Sequence, residues 1–257
     1  VELTSVSGKS ASDKATIDLS GSATTAKLTV HGAVKNLNYV GSAGDDTIHI
    51  EGATSNSEFA LGDGTNELKA QKGTDGTGAY QALNDVLITS SDDAATTIKG
   101  GAYTNSGTAA AITLGGTGTN NITLTSISGK SKDDKVSIDV SAGAAANLTV
   151  TGAVKNLDYT GSAADVDTIK IIGSSVSDSK FDLGEGNSSF EAGSKWGTGD
   201  GKWDGTGTQN LTAKGAVLNN VELIGGDDED KVIIGSVKGN TSIHLKDGND
   251  PKIEFVA

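Results

Sequence analysis

The sequence of 257 residues contains no cysteine, no methionine and no arginine, and its only proline is Pro251. The absence of cysteine excludes disulfide bonds and cysteine-ligated zinc sites. Because the chain lacks a start methionine, we expect Val1 to mark a mature or excised fragment of a longer protein. No run approaches the ~20 apolar residues of a membrane-spanning helix, and no signal peptide is visible. We therefore predict no membrane insertion by this fragment.

Large side chains are also scarce, since aromatic residues make up 4% of the chain while glycine contributes 36 residues. A core with so few rings must be narrow and filled by Ile, Leu, Val and Ala. A broad globular interior would usually hold more large side chains, so the composition favours a stack of repeats.

Negative charge dominates, with a formal net charge of −13 at pH 7. All basic residues are lysines, so bidentate recognition by arginine is absent. A phosphate backbone is repelled by this charge, and no basic patch in the sequence opposes it. We predict that nucleic acid is not a partner.

The chain contains a tandem duplication. LTSVSGKS at 3–10 returns as LTSISGKS at 124–131, and further matches follow in the same order. Two homologous units are therefore predicted, over 1–122 and 123–257. No Pro-rich or Ser-rich linker separates them, so the two units should form one continuous body.

Short alternating segments recur about every ten residues within each unit. Ile48-His49-Ile50 is typical, with apolar residues on one face and a polar one on the other. This period of two indicates strands with one buried face. The sequence predicts an all-β parallel solenoid, either a β-helix or a β-roll, with very little helix. Rungs of about twenty residues should carry two strands each.

One turn carries a recognisable pattern. Against G-G-x-G-x-D-x-U, where U is a large apolar residue, GSAGDDTI matches at Gly41, Gly44, Asp46 and Ile48, and only Ser42 departs. This phrase resembles the calcium-binding nonapeptide of RTX proteins. The whole chain also resembles the solenoid repeat regions of bacterial cell-surface proteins: adhesins, autotransporter passengers and surface-layer proteins.

The RTX resemblance implies calcium held between stacked turns, because calcium prefers six to eight oxygen ligands. The segments 115–122 and 225–232 are the other close matches. An alternative is that Gly, Asn and Asp serve turn geometry or cap the turn backbone without an ion. The candidate calcium ligands are Asp13, Asp45, Asp46, Asn66, Asp93, Asn120, Asp133, Asp134, Asp165, Asp167, Asp227, Asp228 and Asp230.

A second candidate site is the loop 193–207, GSKWGTGDGKWDGTG, which contains both tryptophans. It is longer than its counterpart in the first unit, so the fold itself does not require it. Exposed tryptophan on a Gly-rich loop suits stacking against a sugar or a protein partner. The alternative is that the rings cover an open side of the solenoid. The candidate binding residues are Trp196, Asp200, Trp203 and Asp204.

Catalysis is the third possible function, after calcium binding and binding through the tryptophan loop, and the sequence supports it least. Polysaccharide-active β-helix enzymes use clustered acidic and basic residues on one face. Here the carboxylate clusters fall in repeated turns, and His31, His49 and His244 lie in separate strands. We predict no enzyme and no catalytic residues.

The resemblance implies an extracellular, non-catalytic repeat region at a bacterial cell surface. It would act as an adhesin stalk or binding module for a host or surface glycan or protein. A self-assembling surface-layer subunit that binds copies of itself is the alternative.

Overall fold

The computed structural model describes residues 1–73, 78–91, 95–107, 110–163, 165–173, 175–185, 188–193, 217–225, 231–234, 236–245 and 252–255. These residues form strands joined by turns and contain no helix. All strand–strand ladders are parallel, and the coils stack as a β-solenoid, which confirms the predicted fold class. In the described ranges, no helix is long and apolar enough to cross a membrane.

Each coil contributes one strand to each of three ladders, A, B and C, in that order along the chain. Ladder A contains β1 (Glu2–Leu3), β4 (Ala26–Val30), β7 (Asp46–Ile50), β10 (Thr65–Ala70), β13 (Ala95–Thr104), β15 (Asn120–Ser128), β17 (Ala146–Val150), β20 (Thr168–Ile171), β23 (Ser189–Ala192), β26 (Lys231–Ile234) and β29 (Lys252–Phe255).

Ladder B consists of short strands, and it joins ladder A because β13 and β15 run through both. Its other members are β2 (Val6–Ser7), β5 (Val34–Lys35), β8 (Thr54–Ser55), β11 (Leu83–Asn84), β18 (Val154–Lys155), β21 (Ser175–Ser177), β24 (Val217–Asn219) and β27 (Ser236–Lys238).

Ladder C is a separate ten-stranded sheet with one strand from each of ten successive coils. It contains β3 (Ala15–Asp18), β6 (Leu37–Val40), β9 (Glu58–Leu61), β12 (Leu87–Ser90), β14 (Ala111–Leu114), β16 (Val136–Asp139), β19 (Leu157–Thr160), β22 (Lys180–Asp182), β25 (Glu222–Ile224) and β28 (Ser242–His244).

A coil therefore carries three strands, whereas the sequence pattern predicted two. The strands of ladder B explain the difference, because β5 and β8 are two residues long with one buried residue each. A segment with a single inward side chain shows no period of two. The predicted rung length of about twenty residues is observed where Leu28 aligns with Ile48 and Ile48 aligns with Leu68.

The core is a narrow column in which equivalent residues of successive coils stack. On ladder C, Tyr39 packs against Phe59 and Tyr159 against Phe181, with ring centroids 6.3 and 6.4 Å apart. Phe181 also meets Phe190 from ladder A edge-on, at 4.9 Å. These five rings are at most 1% exposed. Aliphatic side chains fill the remaining layers, as the composition predicted.

The position predicted to separate the two units falls inside β15. The residues of this strand pair with β13 on one side and with β17 and β18 on the other. Both ladders therefore continue from one unit into the next without a break. With about 4.8 Å between neighbouring strands, ten coils form a body about 48 Å long.

Many of the corners between ladders B and C contain one residue in the left-handed conformation. At six of these corners the residue is Asn or Asp, with φ between 48° and 54°: Asn36, Asn56, Asp85, Asn156, Asp178 and Asn220. Asn and Asp tolerate this conformation better than other non-glycine residues. Asn156 also donates from Nδ2 to the Gly129 carbonyl of the preceding coil, at 2.9 Å.

Asn156 therefore contributes both a backbone conformation and a hydrogen bond. We expect Asn156→Ala to lower the free energy of unfolding by about 2 to 3 kcal/mol, since it loses both contributions. Asn156→Gly keeps the conformation and should lose about 1 kcal/mol less. Urea unfolding of the three proteins checks this order, and an alanine variant as stable as the glycine variant would contradict it.

Candidate functional site

The turns from ladder C into the next strand of ladder A form the C–A corner, where most of the described candidate calcium ligands lie. In several coils the first inward-facing residue of the A strand, or the residue just before that strand begins, is polar. These polar residues are at most 1% exposed. These residues stack above one another as a turn ladder, which consists of Asp46, Asn66, Thr96, Asn120, Asp167 and Ser188. A buried polar group is costly without partners, so the contacts of this ladder define its role.

Asp46 closes its own turn. Its Oδ2 accepts a hydrogen bond from the Ser42 backbone N–H at 3.0 Å, and its Oδ1 accepts one from the Ser42 hydroxyl at 2.7 Å. Gly41 precedes this turn, and a Cβ there would lie 1.9 Å from Asp46 Oδ2. The glycine of the motif therefore makes room for the carboxylate.

A second set of bonds links each coil to the preceding one. Asn66 Oδ1 accepts from the Asp46 N–H at 2.8 Å, and Asn120 Oδ1 accepts from the Thr96 N–H at 3.0 Å. Ser188 Oγ does the same for the Asp167 N–H, at 3.0 Å. The turn ladder thus supplies acceptors to backbone N–H groups that the strands leave unpaired.

Whether a position of the turn ladder holds Asn or Asp depends on whether the turn presents a carbonyl or an N–H group to it. Asn66 Nδ2 donates to the Gly62 carbonyl at 2.8 Å and Asn120 Nδ2 to the Gly115 carbonyl at 3.2 Å. Where the turn presents an N–H instead, the side chain is an aspartate, as at Asp46 facing Ser42. An amide fits an acceptor and a carboxylate fits a donor.

Asp167 is the most perturbed member of the turn ladder. Its Oδ1 accepts from the Ala146 N–H at 2.8 Å, while Oδ2 accepts from the Ser162 N–H at 2.7 Å and the Tyr159 hydroxyl at 3.2 Å. Burial raises the pKa of this carboxyl from 3.8 to about 6, although the two backbone N–H groups and Tyr159 oppose the shift. The charge of Asp165 adds to the increase in pKa.

The structure therefore brings together four of the predicted calcium ligands, Asp46, Asn66, Asn120 and Asp167. Their described contacts are with N–H, O–H and carbonyl groups of the protein. Calcium needs six to eight oxygen ligands. Within the described ranges, no group of three or more His, Asp or Glu side chains is arranged to hold a metal ion.

The remaining candidates are dispersed. Asp45 and Asp165 are exposed in C–A turns, and Asp45 Oδ1 accepts from the Thr65 N–H at 2.7 Å. Asp13, Asp133 and Asp134 lie in loops between ladders B and C, away from that corner. Calcium binding stays a prediction. The candidates outside the described residues are Asp93, Asp227, Asp228 and Asp230, together with the loop residues Trp196, Asp200, Trp203 and Asp204.

The histidines belong to different coils. His31 lies between two carboxylates from neighbouring coils, with Nε2 2.6 Å from Glu2 and Nδ1 3.0 Å from Glu51. The hydrogen bonds with Glu2 and then Glu51 raise the pKa of His31. His49 contacts the Gln71 carbonyl through Nε2 at 2.8 Å.

The left-handed corner residues were not singled out from the sequence, although a signal was present. Asn36 and Asn156 stand in the repeated phrase GAVKNL, and Asp85 and Asn220 in LNDV and LNNV. In each phrase a Leu or Val stands two residues before this Asn or Asp and another stands directly after it, which indicates a bend between two short buried segments.

The fold and the turn ladder define the chain as a parallel β-solenoid with polar side chains buried along one corner. Comparisons of the chain with protein-family models, with curated proteins and with solved structures gave no match.

Proposed function

We propose that the chain is a non-catalytic, extracellular repeat region of a bacterial surface protein that acts as a stiff stalk and binding module. The observation that carries this proposal is the continuity of the ladders, which extend unbroken across the junction of the two units. In such a body each coil contacts its neighbours, so added coils lengthen the stalk without changing its cross-section.

The position of the tryptophan-containing segment supports a binding role. β23 ends at Ala192 and β24 begins at Val217, so the segment that contains both tryptophans connects ladder A to ladder B in the sequence. The equivalent place in the first unit lies between β10 and β11, where Tyr80 is 36% exposed. Insertions at one corner of a stiff repeat scaffold are a common place for binding residues.

Surface display tests the stalk proposal. A non-adherent bacterium that displays the chain should gain binding to a panel of glycans and host surface proteins. Trp196→Ala with Trp203→Ala should weaken that binding at least tenfold without changing the melting temperature, because the substitutions remove stacking surface from a loop. Tyr80→Ala is the matched control and should retain binding. If the displayed chain binds nothing on the panel, the binding-module proposal is wrong.

Calcium is tested separately, by thermal unfolding with excess calcium and with EDTA. Because the oxygens of Asp46 and Asp167 already accept protein hydrogen bonds, we expect equal melting temperatures. A ligand that binds only the folded state adds about 2.7 kcal/mol at a hundredfold excess over Kd. A shift of several degrees would therefore contradict this expectation and assign the turn carboxylates to calcium.

A second candidate function is a self-assembling surface-layer subunit. The observation that favours it is that Lys35 and Lys155 are exposed on ladder B, whereas Asp45, Asp63 and Asp165 are exposed in the turns of the C–A corner.

A further inference from the structure

In ladder B, each coil has one outward-facing residue in register with Lys35, and the surface formed by these residues is here called the B face. None of its described residues is a carboxylate. Equivalent residues of successive coils are Ser7, Lys35, Ser55, Asn84, Thr104, Ser128, Lys155, Ser177, Asn219 and Lys238. Hydroxyl and amide groups therefore separate lysines that are themselves exposed. The described charged residues at this position are all lysines, so the face is polar and positively charged.

Loops beside the B face add lysines at two levels. Lys9 follows β2, and Lys130 and Lys132 follow β15, in the loops that lead to ladder C. Some of these charges are locally balanced, since Lys9 lies 4.0 Å from Asp13 and Lys132 lies 2.7 Å from Asp133. Lys35 and Lys155 form no ion pair with a described carboxylate.

The C–A corner, which ladder B does not border, carries the opposite charge. Asp45, Asp63 and Asp165 are exposed in its turns. Asp18, Asp139 and Asp182 stand at the adjoining ends of the C strands, and only Asp182 has a lysine nearby, Lys180 at 3.9 Å. The described turns of this corner contain no lysine.

One pair of lysines on the B face and one pair of aspartates at the C–A corner have the same spacing along the solenoid. Lys35 in β5 and Lys155 in β18 are five coils apart. Asp45 follows β6 and Asp165 follows β19, again five coils apart. At about 4.8 Å per coil, each pattern repeats after about 24 Å. This equal spacing lets Lys35 and Lys155 of one copy meet Asp45 and Asp165 of the other when two parallel solenoids lie side by side.

We propose that a second copy of this chain packs alongside the first, with the acidic C–A corner of one copy against the B face of the other. This inference deepens the second candidate function and rests on it. A strip about 48 Å long and about 10 Å wide covers about 480 Å² on each copy, which is the size of a weak, reversible interface. Because different surfaces of the two copies meet, the contact can repeat to form a row.

Sedimentation of the intact chain in EDTA tests the proposal. Wild-type protein should self-associate at about 0.1 M salt and dissociate at about 1 M salt, because the Debye length falls from about 10 to about 3 Å. Lys35→Glu with Lys155→Glu should weaken association at least tenfold. Asp45→Lys with Asp165→Lys should do the same, since each pair reverses one of the two surfaces.

Mixing the two charge-reversed proteins supplies the decisive measurement. Each variant retains one original surface, so neither should associate alone, whereas the mixture should form a complex through the acidic C–A corner of the B-face variant and the B face of the corner variant. The matched control is Lys69→Glu with Lys170→Glu, which makes the same charge change on ladder A and should leave association within twofold of wild type. Melting curves verify that each variant is folded.

Three results would overturn the proposal: a wild-type protein that stays monomeric at low salt, a B-face variant that associates like wild type, or a mixture that forms no complex. Each would also remove the charge argument for the surface-layer candidate. None would affect the adhesin proposal, because that proposal is measured by binding to glycans and host proteins.

Discussion

Asn66→Asp is expected to lower the free energy of unfolding by about 3 to 5 kcal/mol at neutral pH, the usual cost of leaving a buried charge uncompensated. Asn66 is 1% exposed, and its Nδ2 donates to the Gly62 carbonyl at 2.8 Å. A carboxylate at position 66 has no N–H to donate and would place one of its oxygens against the carbonyl oxygen of Gly62. It would also stack directly on the buried carboxylate of Asp46 in the preceding coil.

Asn66→Ser is the matched control, because Ser188 occupies the same position of the turn ladder several coils away. The Ser188 hydroxyl accepts from the Asp167 N–H at 3.0 Å and donates to the Leu183 carbonyl at 3.4 Å. Serine at position 66 should therefore preserve both kinds of contact and cost less than about 2 kcal/mol. Guanidinium unfolding in EDTA and in calcium measures both variants.

The same experiment separates the two interpretations of the turns. A calcium site formed by stacked turns would gain a charged ligand from Asn66→Asp and bind the ion more tightly. If Asn66 instead caps the turn backbone, Asn66→Asp loses the N–H donor to Gly62, and calcium should not restore the lost stability. If Asn66→Asp unfolds at a higher denaturant concentration than wild type when calcium is added, the capping role is wrong.

Stability is expected to increase as the pH is lowered from about 7 to about 4, because of Asp167. The pKa of this carboxyl is 3.8 in the unfolded chain and about 6 in the folded protein. The folded state therefore binds the proton more tightly. The stabilisation is complete below the unfolded pKa and is lost as the pH rises through the folded pKa. Since each tenfold difference in proton affinity is worth about 1.4 kcal/mol, the full effect is about 3 kcal/mol.

Asp167→Asn removes this titration while keeping the size of the side chain. The difference in unfolding free energy between wild type and variant should change by about 3 kcal/mol over that pH range, and other carboxyl groups cancel from the difference. The variant should also have a lower free energy of unfolding by an amount that does not change with pH, because its amide faces the Ser162 N–H. A difference that does not change with pH would show that the carboxyl titrates as it does in water.

His31 should add to the same trend. Glu2 and Glu51 raise its pKa, so its contribution is present below the unfolded pKa and is lost as the pH rises through the folded value. Its imidazole is 39% exposed, so solvent screens the pairs and the effect should be much smaller than that of Asp167.

Much of the fold follows directly from the sequence. Alternation such as that in Ile48-His49-Ile50 identifies strands, because one buried face imposes a period of two. The scarcity of rings identifies a thin core, and the twenty-residue spacing of Leu28, Ile48 and Leu68 identifies the coil. The sequence did not reveal the third strand of each coil, since one buried residue forms no pattern.

The candidate site was only partly predictable. The sequence named Asp46, Asn66, Asn120 and Asp167 as candidate calcium ligands in repeated turns, and the structure places them in one column. The motif could not show whether their oxygens face an ion or backbone N–H groups. That choice depends on the neighbouring coil, which is about twenty residues away in the chain: Asn66 accepts from Asp46 N–H.

The sequence alone determined the class of fold, the repeat and the positions of the turns, because these depend on local patterns of apolar, polar and glycine residues. Only the tertiary structure decided which side chains meet between coils. Stacking places Glu2, His31 and Glu51 together, buries Asp167 beneath Tyr159, and separates Lys35 and Lys155 from Asp45 and Asp165. The register of coils of unequal length sets those contacts, and register is a property of the whole stack.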